Sequence, residues 1–330
     1  MKLVIGGSSS TGSSLLNQCL GRHRDVIISP ETSIYARPQL VTDWDRYKPR
    51  ILNWSKLRPL RSHGWHRENG VSIPNGDWGV TDKEIELSIE QSQGFNSFIS
   101  RVEQSIQEHN QGLVWVEKTP ANALNMAALC DVLSDVQFII MVRHPLEAIA
   151  SMINRGYDTL DACAIFLLNS SFALATDTSR CQIIRYEEFL NQYQQVTEEV
   201  LSSVDLDPQE IDWVSSSSNI KLESWRFAED DLPQPAVHDR FQSLSTLLQQ
   251  EILGIVASLR IKEGFQIAGK SVMHRNIRAV ARATGYELPL INSMADIKSY
   301  KRKLARSLIW RTTLMDPINI FNTPFEIIQA

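Results

Sequence analysis

Cysteine, excess positive charge and long apolar runs are all scarce in this chain of 330 residues. Its four cysteines are Cys19, Cys130, Cys163 and Cys181. None forms a CxxC pair or lies beside clustered histidines, so we expect buried, reduced thiols and no zinc site. The formal net charge of -5 argues against a nucleic-acid coat or a polybasic membrane anchor, because both need excess positive charge.

No segment has the pattern of a membrane span or a secretion signal. The most apolar later stretch, residues 162–175, is interrupted by polar residues and is too short to cross a bilayer. Strand-like sequence begins at Lys2, which leaves no room for a signal peptide ahead of the fold. We therefore expect a cytoplasmic protein without nucleic-acid or membrane partners.

Short apolar runs separated by helical periodicity predict the buried strands of a parallel sheet. These runs are Leu3–Ile5, Val26–Ile28, Leu113–Val116, Phe138–Val142 and Gln182–Ile184. The alternation predicts an α/β protein with a P-loop-like three-layer αβα fold, whose ligand site lies at the carboxyl ends of the strands. We expect a single domain over residues 1–330. Its predicted parts are core strands at about 2–31 and 112–190, a helical cap inserted at about 32–110, and a helical C-terminal part at about 191–330.

The loop after the first strand has the spacing of a phosphate-binding loop. Gly7 and Gly12 are placed as in a Walker loop, and Ser13-Ser14-Leu15-Leu16 opens a helix. Backbone N–H groups at such a helix N-terminus favour an anion. Ser13 occupies the position of the Walker lysine, which argues against ordinary NTP hydrolysis. For this loop taken by itself, a serine-rich turn without a ligand is the alternative.

A second segment has the residues for a phosphate site at the end of a later strand. Pro145 suits the first turn of a helix that Gly156 would terminate. Ser151 and Arg155 are then neighbours on that helix, and Arg143 lies just before it. Two guanidinium groups and a hydroxyl can therefore converge on one phosphate. A surface ion pair is the alternative for Arg143.

These two segments resemble motifs of one enzyme family. Gly-x4-Gly-Ser-Ser-Leu-Leu and Met-Val-Arg-x7-Ser-x3-Arg are similar to the 5′-phosphosulfate and 3′-phosphate motifs of sulfotransferases that use 3′-phosphoadenylyl sulfate (PAPS). The similarity is closest to the tyrosylprotein sulfotransferase-like and bacterial branch. Further matching segments are Pro30-Glu31-Thr32, Glu117-Lys118-Thr119-Pro120 and Ile184-Arg185-Tyr186-Glu187. The resemblance covers residues 3–190, and beyond it Lys270-Ser271 and Arg275 are weak substitutes for the late glycine-rich element of the family.

The resemblance implies a sulfotransferase with PAPS as co-substrate, its desulfated form PAP as product, and no metal. It implies in-line transfer to a hydroxyl of a carbohydrate, a small molecule or a tyrosyl peptide, with Glu31 as the base and Lys118 as the charge opposite the leaving group. The residues that it implies for nucleotide binding are Ser9, Ser10, Thr11, Gly12, Ser13, Ser14, Arg143, Ser151, Arg155 and Tyr186. Packing of Tyr186 in the core is an equal alternative.

One loop residue departs from the family pattern. Ser10 occupies a position where the family usually has Arg or Lys facing the departing phosphate. Losing such a stabiliser typically costs about 10²- to 10³-fold in rate, unless Lys118 covers the role. Two alternatives therefore stay open: a non-catalytic relative that binds PAPS or PAP, and a P-loop nucleotide kinase.

The cap is the part of the chain that bears on the acceptor. It contains four of the eight tryptophans, namely Trp44, Trp54, Trp65 and Trp78. Residues 44–78 include seven basic and three acidic residues, a net charge of +4. Aromatic faces beside cations suit a sugar, an aromatic hydroxyl or an acidic acceptor, whereas core tryptophans with solvated arginines are the alternative. His63 and His66 lie there too, as alternative bases to Glu31. Neither the acceptor nor the oligomeric state can be identified from the sequence.

Overall fold

The central sheet has five parallel strands in the order β2-β3-β1-β4-β5. The structure is a computed structural model that describes residues 2–29, 31–49, 82–110, 112–176, 178–214, 239–289 and 324–328. The strands are β1 (Lys2–Gly7), β2 (Val26–Ile28), β3 (Val114–Lys118), β4 (Val136–Val142) and β5 (Cys181–Arg185). Each apolar run predicted as a strand overlaps one of them, with end points that differ by up to two residues.

Helices fill most of the remaining described chain. They are α1 (Ser13–Leu20), α2 (Pro38–Thr42), α3 (Asp82–Gln91), α4 (Phe95–Asn110), α5 (Met126–Val132), α6 (Pro145–Asn154), α7 (Thr159–Ala173), α8 (Tyr186–Asn191), α9 (Tyr193–Ser202), α10 (Thr246–Ser258) and α11 (Ile277–Ala283). Residues 44–49 are also helical. Short 3₁₀ helices occupy Pro120–Leu124, Thr178–Arg180 and Pro208–Glu210. None of the helices in these described ranges is long and apolar enough to cross a membrane.

Both faces of the sheet are covered, because successive strand residues point to opposite sides. Leu3 and Ile5 of β1 belong to a buried cluster with side chains of α1, α8 and α9. Val4 between them, Trp115 of β3 and Phe138 of β4 belong to the opposite cluster, with side chains of α3, α4 and α5. The predicted three-layer α/β fold is confirmed.

The described C-terminal part contains short strands as well as the expected helices. Strand β6 (Leu259–Ile261) pairs antiparallel with β9 (Phe325–Ile327), and β7 (Gln266–Ile267) pairs with β8 (Lys270–Ser271). Side chains of β6 and β9 join those of α6, α7, α10 and α11 in a third buried cluster. This part of the chain therefore packs directly against α6, the helix that carries Ser151.

Strand register aligns the carboxyl ends at one edge of the sheet. Ile5 of β1 lies opposite Lys118, the last residue of β3. Gly7, the last residue of β1, lies opposite Met141 of β4, and Val142 lies opposite Arg185 at the end of β5. The loops that follow these strands therefore emerge side by side.

Candidate active site

The loop between β1 and α1 owes its shape to its glycines. Gly7 has φ 138° and Gly12 has φ 93°, both in the region that side chains disfavour. A Cβ on Gly7 would lie 2.4 Å from the Met141 carbonyl oxygen, and one on Gly12 would lie 2.3 Å from the ring of Tyr186. Gly12 is the N-cap of α1, whose first amides have no partner within the helix and can face an anion.

Two arginines contact the tip of this loop at Ser10. Ser10 is a non-glycine residue in the left-handed region, with φ 65°. Arg143 Nη1 donates to the Ser10 carbonyl oxygen at 3.2 Å, and Arg155 Nη1 donates to Ser10 Oγ at 3.3 Å. The guanidinium carbon of Arg143 also lies 4.4 Å from the centre of the Tyr186 ring. Arg143, Arg155 and Tyr186 thus all adjoin the loop, and their roles in nucleotide binding stay predictions.

A third arginine joins the site from the C-terminal part of the chain. Arg240 Nη1 lies 3.5 Å from Ser151 Oγ. The backbone N–H groups of Arg240 and Phe241 donate to the two carboxylate oxygens of Glu147 on α6, at 2.9 and 3.1 Å. Sequence reasoning missed Arg240, because it lies 89 residues from Ser151 and no local motif surrounds it.

Arg143 and Arg240 each have a buried nitrogen whose hydrogen-bonding capacity is unfilled. Arg143 is 6% exposed, and burial together with the charge of Arg240 lowers the pKa of its guanidinium, partly opposed by Tyr186 and Glu147. Within the described ranges, Nε of Arg143 and Nε of Arg240 find no acceptor. Buried donors of like charge are costly unless an anion satisfies them. The residues present therefore fit a phosphate group.

A lysine–carboxylate pair lies at the other end of the loop. Lys118 is fully buried, and its Nζ donates to Glu31 Oε1 and, at 3.0 Å, to Ser14 Oγ. The Glu31 side chain is 12% exposed, so one side of it stays accessible. Lys118 therefore links the loop between β1 and α1 directly to Glu31, the predicted base.

A buried carboxylate beside Lys118 fastens the segment that carries Glu31. Glu117 Oε1 accepts from Thr32 N at 3.0 Å, Thr32 Oγ1 at 2.8 Å and Thr119 Oγ1 at 2.7 Å. Glu117 Oε2 accepts from Asn122 Nδ2 at 2.5 Å. Sequence reasoning gave Glu117 no role of its own. The signal was a carboxylate in the buried strand β3, directly before Lys118.

Other residues suggested by sequence lie elsewhere. Trp44 is 7% exposed, donates from Nε1 to the Ser92 carbonyl oxygen at 3.3 Å and packs on Phe98. It belongs to the core of the cap and not to an acceptor surface. The weak late-element residues make structural pairs, Lys270 with Asp131 at 2.7 Å and Arg275 with the Ile261 carbonyl oxygen at 2.9 Å.

Several sequence hypotheses fall outside the described residues. These are Trp54, Trp65, Trp78, His63 and His66 of the cap. Among the residues that are described, no group of three or more His, Cys, Asp or Glu side chains is arranged to hold a metal ion.

Comparison with known proteins identifies the family. The family model described as "Sulfotransferase family" matches residues 3–210, more than half of the chain. This chain belongs to the sulfotransferase family, which confirms the resemblance seen in the sequence. A search of curated proteins found no match.

Solved structures with similar folds are bacterial sulfotransferase domains. The chain is similar to the sulfotransferase domain of the Synechococcus PCC 7002 olefin synthase, with 13% identity, TM-score 0.47, and coverage of 88% of this chain and 95% of that one. It is similar to the sulfotransferase domain of the curacin biosynthetic pathway, with 15% identity, TM-score 0.44, and coverage of 87% and 98%. A sulfotransferase from Alicyclobacillus acidocaldarius has 12% identity, TM-score 0.42, and coverage of 91% and 98%.

Proposed function

We propose that this sulfotransferase uses PAPS and transfers its sulfuryl group to a hydroxyl of a carbohydrate, a small molecule or a tyrosyl peptide. The observation that carries the proposal is that three features meet at one edge of the sheet. They are a loop suited to binding an anion, the unsatisfied Nε donors of Arg143 and Arg240, and the buried Lys118–Glu31 pair. No metal is required, because positioning, a base and cations suffice for in-line transfer.

The nucleotide would occupy two anion subsites. The amides of residues 9–14, with the hydroxyls of Ser13 and Ser14, would hold the 5′-phosphosulfate at the start of α1. Arg143 and Ser151 would hold the 3′-phosphate, and the buried Nη and Nε donors of Arg143 supply directional bonds to phosphate oxygens. Tyr186, stacked under Arg143, would fix the guanidinium plane.

PAPS, when bound, supplies the sulfuryl group: its sulfur–oxygen bond to the 5′-phosphate breaks, the electron pair stays on the phosphate oxygen, and a new bond forms to the acceptor oxygen. Glu31 accepts the proton of the acceptor hydroxyl. Lys118 contacts both Glu31 and Ser14, which places its positive charge between the base and the loop that holds the leaving phosphate. The reaction therefore yields PAP, the sulfated acceptor and a protonated carboxyl group.

Calorimetric titration with PAP in the absence of magnesium tests the nucleotide site. We expect micromolar binding to the unaltered protein and at least a tenfold loss in Arg143→Ala, since a hydrogen bond to a charged group contributes about 1.5–3 kcal/mol. Arg101→Ala is the matched control, because Arg101 on α4 hydrogen-bonds Gln91 on the protein surface. Absence of PAP binding in the unaltered protein would refute the proposal.

An acceptor screen with labelled PAPS would follow binding. Transfer to a hydroxyl compound that is lost in Glu31→Gln, with PAP affinity retained, supports the base role. PAP binding without transfer to any acceptor class favours a non-catalytic PAPS- or PAP-binding relative. Magnesium-dependent turnover of ATP would instead favour the nucleotide kinase alternative.

A further inference from the structure

The loop that would hold the phosphosulfate has no cation of its own. Residues 7–14 read Gly-Ser-Ser-Ser-Thr-Gly-Ser-Ser, without a lysine or an arginine. A transferring sulfuryl group leaves negative charge on the phosphate oxygen, and backbone amides carry only partial positive charge. Any full positive charge at this loop must therefore reach it from another part of the fold.

Three cations of the described chain reach the loop, at two places. Lys118 contacts Ser14 at the helix end of the loop and is ion-paired with Glu31. Arg143 contacts the Ser10 carbonyl oxygen, is buried under the loop, and lies 3.9 Å from a carboxylate oxygen of Glu147. The exposed side chain of Arg155 contacts the hydroxyl of Ser10. Arg155 is thus the exposed cation at the tip of the loop, whereas Arg143 and Lys118 are buried.

The place expected for Arg155 beside Ser151 is taken by a different arginine. Ser151 lies one turn before Arg155 on α6, and the guanidinium at its hydroxyl is that of Arg240. Arg240 is held there by its own N–H, which donates to Glu147. The 3′-phosphate subsite can therefore be completed by Arg143, Ser151 and Arg240, so it does not need Arg155, whose guanidinium contacts the loop.

The end of α6 fits this use of Arg155. The helix ends at Asn154, Arg155 is its C-cap residue, and Gly156 follows with φ 94°. The chain therefore turns away directly after Arg155. Its exposed side chain returns across to Ser10, 145 residues away in sequence, and a residue in the left-handed conformation there presents its hydroxyl to the guanidinium.

On the basis of the function proposed above, we propose that Arg155 binds the 5′-phosphate of the nucleotide and supplies the full positive charge that the loop lacks. Arg240 takes its place at the 3′-phosphate. Arg155 donates hydrogen bonds to the 5′-phosphate. These bonds strengthen as the sulfur–oxygen bond breaks, because the electron pair stays on the phosphate oxygen. Glu31 takes the acceptor proton in the same step.

Two half-ligands separate the subsites: adenosine 5′-monophosphate, without a 3′-phosphate, and adenosine 3′-monophosphate, without a 5′-phosphate. Each is titrated as a competitor of bound PAP, so the unaltered protein first reports whether PAP binds at all. Arg155→Ala should weaken the 5′-monophosphate about 10- to 100-fold and leave the 3′-monophosphate within about threefold. Arg240→Ala should give the reverse pattern, and Arg101→Ala should change neither.

A charge relocation supplies the second readout. Arg155→Ala should lower kcat for sulfuryl transfer by about 10²- to 10³-fold. Adding Ser10→Arg to that variant puts a guanidinium back at the loop tip and should recover at least tenfold of the loss. The inference is overturned if Arg155→Ala weakens the 3′-monophosphate and spares the 5′-monophosphate, or if Ser10→Arg recovers nothing. Failure of PAP to bind the unaltered protein would instead refute the proposed function itself.

Discussion

Replacing Glu117 by glutamine tests whether its buried carboxylate holds the Glu31 segment in place. Glu117 is 1% exposed and accepts four hydrogen bonds, two of them from Thr32. A glutamine of the same shape keeps one oxygen, which can still serve Thr32 and Thr119. Its NH₂ group, however, faces the donor of Asn122. Rotating the Asn122 amide would relieve that clash but would break its 3.1 Å bond to the Ile5 carbonyl oxygen.

The expected loss of stability follows from this count. One bond is lost outright, and three change from charge-assisted to neutral bonds, for which typical contributions fall from about 1.5–3 to about 0.5–1.5 kcal/mol each. Relief of the buried charge offsets part of this difference. We therefore expect Glu117→Gln to lower the free energy of unfolding by about 2–4 kcal/mol, measured by urea denaturation.

A second readout separates positioning from simple destabilisation. Thr32 follows Glu31 directly, so loosening Thr32 should misplace the base and lower kcat by about 10²-fold, while PAP affinity stays within about threefold. Glu188→Gln is the matched control: Glu188 is exposed and pairs with Arg185, and such pairs contribute about 0–1 kcal/mol. A loss below about 1 kcal/mol in Glu117→Gln, equal to the control, would refute the reasoning.

Two further predictions concern the loop and the start of β1. Gly12→Ala should destabilise the protein by about 1–3 kcal/mol and abolish PAP binding, because of the positive φ and the contact with Tyr186; Gly94→Ala, with nothing within 4 Å, should do neither. Although burial opposes it, the hydrogen bond and charge of Lys2 lower the pKa of Asp135. That stabilisation is present above the ordinary aspartate pKa and is lost as pH falls through the lowered value. Between pH 5 and pH 2 the free energy of unfolding should therefore fall more in the unaltered protein than in Asp135→Asn, which never had this contribution. Equal falls in the two proteins would contradict this.

The packing of Trp44 limits how the cap could recognise an acceptor. Trp44 packs on Phe98 in the core, so one of the four cap tryptophans cannot stack on a sugar or a phenol without leaving its place. Burying a large aromatic side chain stabilises a core strongly, which explains the inward position of Trp44. Recognition of an acceptor by the cap stays a prediction for residues other than Trp44.

Local sequence determined the strands, the loop and the order of the site segments. Runs such as Phe138–Val142 are apolar throughout because a parallel strand is buried on both faces, so periodicity was enough to predict them. Gly7 and Gly12 were readable for a different local reason, since each has a positive φ in the tight turn between β1 and α1, although the close approaches at them come from Met141 and Tyr186, far along the chain. Parallel strands then bring Glu31, Lys118 and Arg143 to one edge without further information.

Tertiary structure decided which side chains meet within that edge. Arg240 reaches Ser151 across 89 residues and Arg155 reaches Ser10 across 145, and neither contact leaves a periodic or spaced pattern in the sequence. The same holds for Glu117, whose partner Thr32 lies 85 residues away. Such contacts depend on how the C-terminal part and the β2 loop dock on the sheet, because a side chain's partner is set by three-dimensional packing and not by its neighbours in the chain.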